Sequence, residues 1–69
     1  MITKTFKKWI EAEQFGTTLF KETAKYVYIF ETRSKRNLHH PTYIVTDQEK
    51  INKYFKVELI KIYRPENKY

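Results

Sequence analysis

Apolar and polar positions along the chain fall into four segments with different periods. In the first, Ile2, Phe6, Trp9, Ile10 and Glu13 share one side of a 3.6-residue spiral, and Lys4, Lys7, Lys8 and Glu11 the other. That spacing predicts an amphipathic helix. Thr3 or Thr5 would cap its start, and Gly16 stands where a left-handed residue would end it. An alanine at Gly16 would then cost stability, because that backbone conformation crowds a Cβ. Over residues 24–33 the period shortens to two, and Tyr26, Val27, Tyr28, Ile29 and Phe30, all β-branched or aromatic, predict a strand. Residues 17–20 are a candidate short strand before it, joined by a turn at Lys21, Glu22 and Thr23 that lacks Gly, Asn and Pro.

Residues 34–41 carry charge, Asn37 and Pro41 but no period, and read as a surface loop. A returning strand is expected over 42–45, with Pro41 tolerated at its mouth. Thr46 and Glu49 have the spacing of a capping box, and Ile51, Tyr54 and Phe55 follow at helical intervals, which predicts a short helix over 47–55. Residues 57–63 have strand composition with imperfect alternation, stopped by Arg64 and Pro65. One domain over residues 1–64 and a frayed tail over 65–69 are expected.

The order helix, candidate strand, strand, strand, helix, strand describes an α+β domain of two layers, with helices on one face of a mainly antiparallel sheet. In the central strand Val27 and Ile29 share a face with Lys25, Glu31 and Arg33, while Tyr26, Tyr28 and Phe30 share the other with Ala24 and Thr32. In the last strand Ile60 and Ile62 fall with Glu58 and Arg64, and Val57, Leu59 and Tyr63 with Lys61. Both faces are therefore apolar, and two assignments fit. Either Val27, Ile29, Ile60 and Ile62 meet the helices and leave Tyr26, Tyr28 and Phe30 as an aromatic platform for stacked bases, or the rings themselves are the core under Phe6, Trp9, Tyr54 and Phe55. Ring burial is favoured, because a small domain needs its largest side chains inside. The glycine-containing aromatic motif of RNA-binding sheets of the RRM kind is absent.

Composition narrows the classes. A chain of 69 residues supports one domain with one small core. Twelve aromatic residues, one glycine and no cysteine mean that rings, not disulfides, must hold it together. Without cysteine there is no disulfide framework and no thiolate zinc site, which fits a reducing compartment, and the cytoplasm is expected. Residues 1–14 alternate charged and apolar positions unlike a secretory leader. The longest uncharged apolar run, residues 26–30, is far below the roughly 18 residues a membrane span needs. Eleven lysines to three arginines and seven isoleucines to three leucines have the look of AT-rich coding DNA.

The formal charge of +6 is unevenly distributed: residues 1–32 carry a net +1 and residues 33–69 a net +5. Its densest part is the 33–40 segment, where Arg33, Lys35 and Arg36 stand together without an acidic neighbour and His39 and His40 add charge below about pH 6.5. Such a loop suits a phosphate backbone, as it also suits plain solvation. Lys50 and Lys53 on the second predicted helix would extend the footprint, and Tyr28 is the candidate platform residue. His39 is counted with the phosphate contacts.

Catalytic signals are poor. Adjacent histidines cannot both face one small metal site from a strand, Asp47 is the sole aspartate, and no carboxylate pair, nucleophile elbow or glycine-rich phosphate loop is present. A metal-independent ribonuclease with His39 or His40 as base and loop cations stabilising a phosphorane asks for tighter geometry than binding does. The expectation is a non-catalytic, cofactor-free basic protein that binds DNA or RNA through the 33–40 loop. The alternative is a small inhibitor or adaptor of the phage or mobile-element type, which would grip a host protein through Arg33, Arg36, Tyr28 and Tyr43, since Arg and Tyr are rich in interface hot spots. Exposed sheet edges also allow a homodimer.

Overall fold

The helical period of the N-terminal third begins later and runs further than the spacing of Ile2 and Phe6 predicts. The computed structural model describes residues 2–32, 41–51 and 57–65. In chain order its elements are β1 (Thr3–Phe6), α1 (Trp9–Thr23), β2 (Val27–Thr32), β3 (Thr42–Thr46) and β4 (Val57–Tyr63). This is a small α+β domain with one helix and a four-stranded antiparallel sheet among the described residues.

Thr3 and Thr5 do not cap a helix, because they lie in β1. Thr-Lys-Thr-Phe alternates with period two, and its threonines prefer extended backbone. Helix α1 starts after Lys8, which makes no side-chain capping bond. Its buried stripe is Ala12, Gly16 and Leu19, with Trp9, Phe15 and Phe20 half-buried beside it, while Ile10 points outward. Residues 17–20, a candidate strand by composition, are a turn of this helix. Placing Leu19 and Phe20 on the core side outweighs the low helix propensity of Thr17 and Thr18, a few tenths of a kcal/mol each.

Gly16 does not end the helix. It sits inside it without a positive φ, and the left-handed residue is Ala24 at φ 55°. The Ala24 amide donates to the Phe20 carbonyl at 2.8 Å, the Thr23 hydroxyl donates to the Leu19 carbonyl at 2.9 Å, and the same hydroxyl accepts the Lys25 amide at 3.3 Å. What Gly16 supplies is proximity. A Cβ there would lie 3.0 Å from Tyr63 Cε2 and 3.3 Å from Ile29 Cδ1.

The strands lie in the order β1-β3-β2-β4, and every neighbouring pair is antiparallel. β1 and β2 are therefore parallel to each other with β3 inserted between them, which makes β1-α1-β2 a split β-α-β unit. β3 binds β1 through Thr3↔Thr46 to Phe6↔Tyr43 and binds β2 through Tyr28↔Thr46 to Thr32↔Thr42. The helix predicted over 47–55 is absent from 47–51, and residues 52–56 lie outside the described part. The Thr46 hydroxyl is not a cap for Glu49. It accepts the Gln48 amide at 3.1 Å and meets the Thr3 hydroxyl at 3.1 Å, so this fully buried polar group is satisfied by the turn that follows it and by β1. Asp47 ties the same corner to β1, its carboxylate accepting the Ile2 amide and its amide donating to the Ile2 carbonyl, both at 3.3 Å.

Val27, Ile29 and Val45 face the helix and join Ala12 and Leu19 in a fully dry cluster. Rings from both elements close over it: Phe6 on Phe15 at 5.4 Å, Trp9 edge-on to Tyr43 at 5.5 Å, and Phe20 stacked on Tyr63 at 5.8 Å. Each such pair contributes about 0.5–1.5 kcal/mol beyond its buried area. The favoured face assignment is corrected in part: the small β-branched residues of β2 meet the helix with Phe6 and Trp9, and Tyr26, Tyr28 and Phe30 lie on the opposite side, where Phe30 is nevertheless buried; Tyr54 and Phe55 lie outside the described residues. Six other rings serve the helix interface.

The imperfect alternation of the last strand has a physical cause. The β2–β4 register shifts between Ile29 and Phe30, which face Lys61 and Leu59, so Ile60 is the extra residue of a β-bulge. Beyond it the parity inverts. Leu59 and Ile62 share the face away from the helix, while Glu58, Lys61 and Tyr63 share the helix side, whereas the sequence grouped Ile62 with Glu58 and Leu59 with Lys61 and Tyr63.

Candidate nucleic-acid interface

On the face away from the helix, Tyr26, just before β2, and Tyr28 and Phe30 within it form a ladder. Tyr26 and Tyr28 have ring centroids 6.2 Å apart at 14° between planes, and Tyr28 and Phe30 6.4 Å at 29°. Residues two apart on a strand project to the same side, and large planar side chains at that spacing settle into parallel contact. Exposure falls along the ladder from 49 % at Tyr26, through a half-buried Tyr28, to 7 % at Phe30. On the β3 side of this face Ile44 and Thr46 are fully buried. On the β4 side Leu59 is exposed, and so is Ile60 at the bulge.

Of the residues expected to contact phosphate, Lys50 is exposed four residues beyond the end of β3. Arg33, Lys35, Arg36 and His39 lie outside the described residues, as does Lys53. Tyr28 is in the ladder, paired with Thr46 of β3 and Ile62 of β4. Tyr43, the hot-spot candidate for a protein partner, is half-buried on the helix side against Trp9. Two exposed cations flank the open end of the ladder: Lys25 next to Tyr26 in the chain, and Arg64 one step past the Val27↔Tyr63 pair.

A second polar group was not singled out from the sequence. Lys61 Nζ donates to Glu13 Oε2 at 3.0 Å and stands 4.9 Å from the Tyr63 ring centre and 6.0 Å from that of Trp9. The hydrogen bond to Glu13 raises the Lys61 pKa above the ordinary lysine value, against a smaller opposing effect of burial. The Tyr63 hydroxyl accepts from Thr17 at 3.3 Å and donates to the Glu13 carbonyl at 3.4 Å. Lys61 and Tyr63 thereby fasten β4 to the helix. The available signal was their i, i+2 spacing, which the bulge just before them keeps intact.

Among the described residues, no group of three or more His, Cys, Asp or Glu comes together in a way that could hold a metal ion. No described helix is long and apolar enough to cross a membrane. No family model matches this chain, and neither the curated proteins nor the solved structures yield a match to it.

Proposed function

We propose that this protein is a small non-catalytic nucleic-acid-binding domain, in which the cations of the 33–40 segment contact phosphates and the β2 rings offer a stacking surface. The observation that carries the reading is the Tyr26–Tyr28–Phe30 ladder on the sheet face away from the helix, with its Tyr26 end open to solvent. The same strand ends at Thr32, immediately before Arg33, so the rings and the most basic stretch of the sequence are consecutive in the chain. Base stacking on aromatic side chains combined with a positive backbone track is the usual physics of sequence-tolerant binding. Arg33, Lys35, Arg36 and His39 are assigned to phosphate, with Lys50 and Lys53 extending the track and Tyr28 in the stacking surface.

The test is a salt titration of binding to a short oligonucleotide. About five phosphate contacts give a slope of log K against log[salt] near −4. Reversing Arg33, Lys35 and Arg36 together to Glu should abolish measurable binding and leave the melting temperature nearly unchanged. A flat salt response in the wild type overturns the reading, and unfolding of the variant would assign the three residues to structure.

A protein partner is the second reading, and the exposed Leu59 and Ile60 on edge strand β4 favour it. Material captured from a lysate separates the two: nuclease-sensitive polymer supports the first, a discrete nuclease-resistant protein the second.

A further inference from the structure

The face away from the helix is not equally available along its width. Ile44 and Thr46 on β3 are fully buried and Phe30 is nearly so, whereas on the β4 side and towards the start of β2 the surface opens. Tyr28 faces Ile62 and Val27 faces Tyr63, and the same register carried one residue past that last pair sets exposed Arg64 beside exposed Tyr26. On the other flank the β2–β3 pairing ends at Tyr28↔Thr46, where the chain turns away. The corner thus offers an exposed ring with a guanidinium beside it in register.

Tyr26 is already held against Tyr28 at 14° between planes, so little ring freedom is left to lose when a second flat group settles on it. In a duplex both faces of each base are occupied by its neighbours, and such a ring can be reached only by an unpaired base. An exposed ring attracts a base without charge, and the guanidinium of Arg64 is suited to one phosphate.

We infer that the Tyr26–Tyr28–Arg64 corner of the sheet is a stacking site for one unpaired base, with Arg64 on the adjoining phosphate, so that the protein prefers single-stranded to double-stranded nucleic acid. This rests on the nucleic-acid reading above and adds the class of ligand.

The experiment compares binding of the full chain to a fluorescent oligothymidylate and to a duplex of the same length over a range of salt. The wild type binds the single strand more tightly. Tyr26→Leu weakens the single strand roughly 5- to 100-fold at unchanged salt slope and leaves the duplex alone, while Tyr26→Phe retains the preference. Arg64→Gln lowers the single-strand slope by about 0.7. In the wild type, a 5-iodouracil-substituted strand photocrosslinks to the peptide containing Tyr26, a readout independent of how any variant folds. Equal affinity for both forms, or crosslinks confined to other peptides, overturns the stacking site while the nucleic-acid reading stands. Failure of the wild type to bind either form overturns both.

Discussion

At Gly16 the missing side chain lets the Tyr63 ring lie against the helix, and the ring has little room to retreat. Its hydroxyl is held by Thr17 and the Glu13 carbonyl, its face is stacked on Phe20, and the second close neighbour, Ile29, is fully buried. Gly16→Ala gains about 1 kcal/mol of helix propensity but overpacks this contact at a cost of about 1–3 kcal/mol. A net loss of about 1 kcal/mol lowers Tm by about 5 °C in a domain of this size. In a Tyr63→Leu background the loss should shrink or vanish, which separates the packing cause from a backbone one. The sequence pointed to the right residue for the wrong reason, because a lone glycine at the end of an apolar stripe looks the same whether it terminates a helix or admits a neighbour. The strained backbone is at Ala24, where the left-handed conformation costs a residue with a Cβ about 1–2 kcal/mol. Ala24→Gly relieves that strain against a smaller cost from the greater conformational entropy of the unfolded chain, so thermal melting should show a gain of about 0.5–1 kcal/mol. A loss of stability would mean that the Ala24 methyl matters to packing at this corner.

Among the elements, α1 and β4 are joined by more than apolar contact. Lys61 bridges to Glu13 above two rings, and its raised pKa fixes the sign of a pH effect. A lysine with a raised folded-state pKa adds stability that is fully present below the ordinary value of about 10.4 and is lost as pH rises through the folded-state value. The Tm difference between the wild type and Lys61→Met should therefore be constant through neutral pH and narrow at the alkaline end. A difference that persists unchanged above pH 11 would assign the role of Lys61 to its alkyl chain instead. β2, β3 and β4 were legible in the sequence because runs of β-branched and aromatic residues bounded by charge and proline have one reading. β1 and the C-terminal half of α1 were not: Phe6 continues the helical spacing of Trp9 and Glu13 by coincidence, and only pairing with β3 draws it into the sheet, while Thr17 to Phe20 have strand composition and are held in the helix by packing. The capping-box pattern at Thr46 misled for a related reason: its hydroxyl is taken by Thr3, 43 residues away.

For the whole molecule, the fold class could be read locally but the strand order could not. Placing β3 between β1 and β2 depends on pairings distant in sequence, and no local period encodes them. The candidate site divides in the same way. Tyr28 was identifiable from its place among alternating rings, whereas the open Tyr26 end depends on which sheet face the helix covers and on the bulge that turns β4. The concentration of +5 in residues 33–69 remains the sequence feature that most favours a polyanionic partner, and the ladder supplies a second, uncharged attraction whose salt dependence differs. The long-range pairing of β1 also orders assembly in time. Thr3 meets Thr46 across 43 residues, so closing that loop is entropically expensive until the β2–β3 hairpin and its helix have formed a surface to receive it. On a ribosome β1 is made well before its partner β3, and until the two pair β3 presents a bare edge to every neighbouring chain.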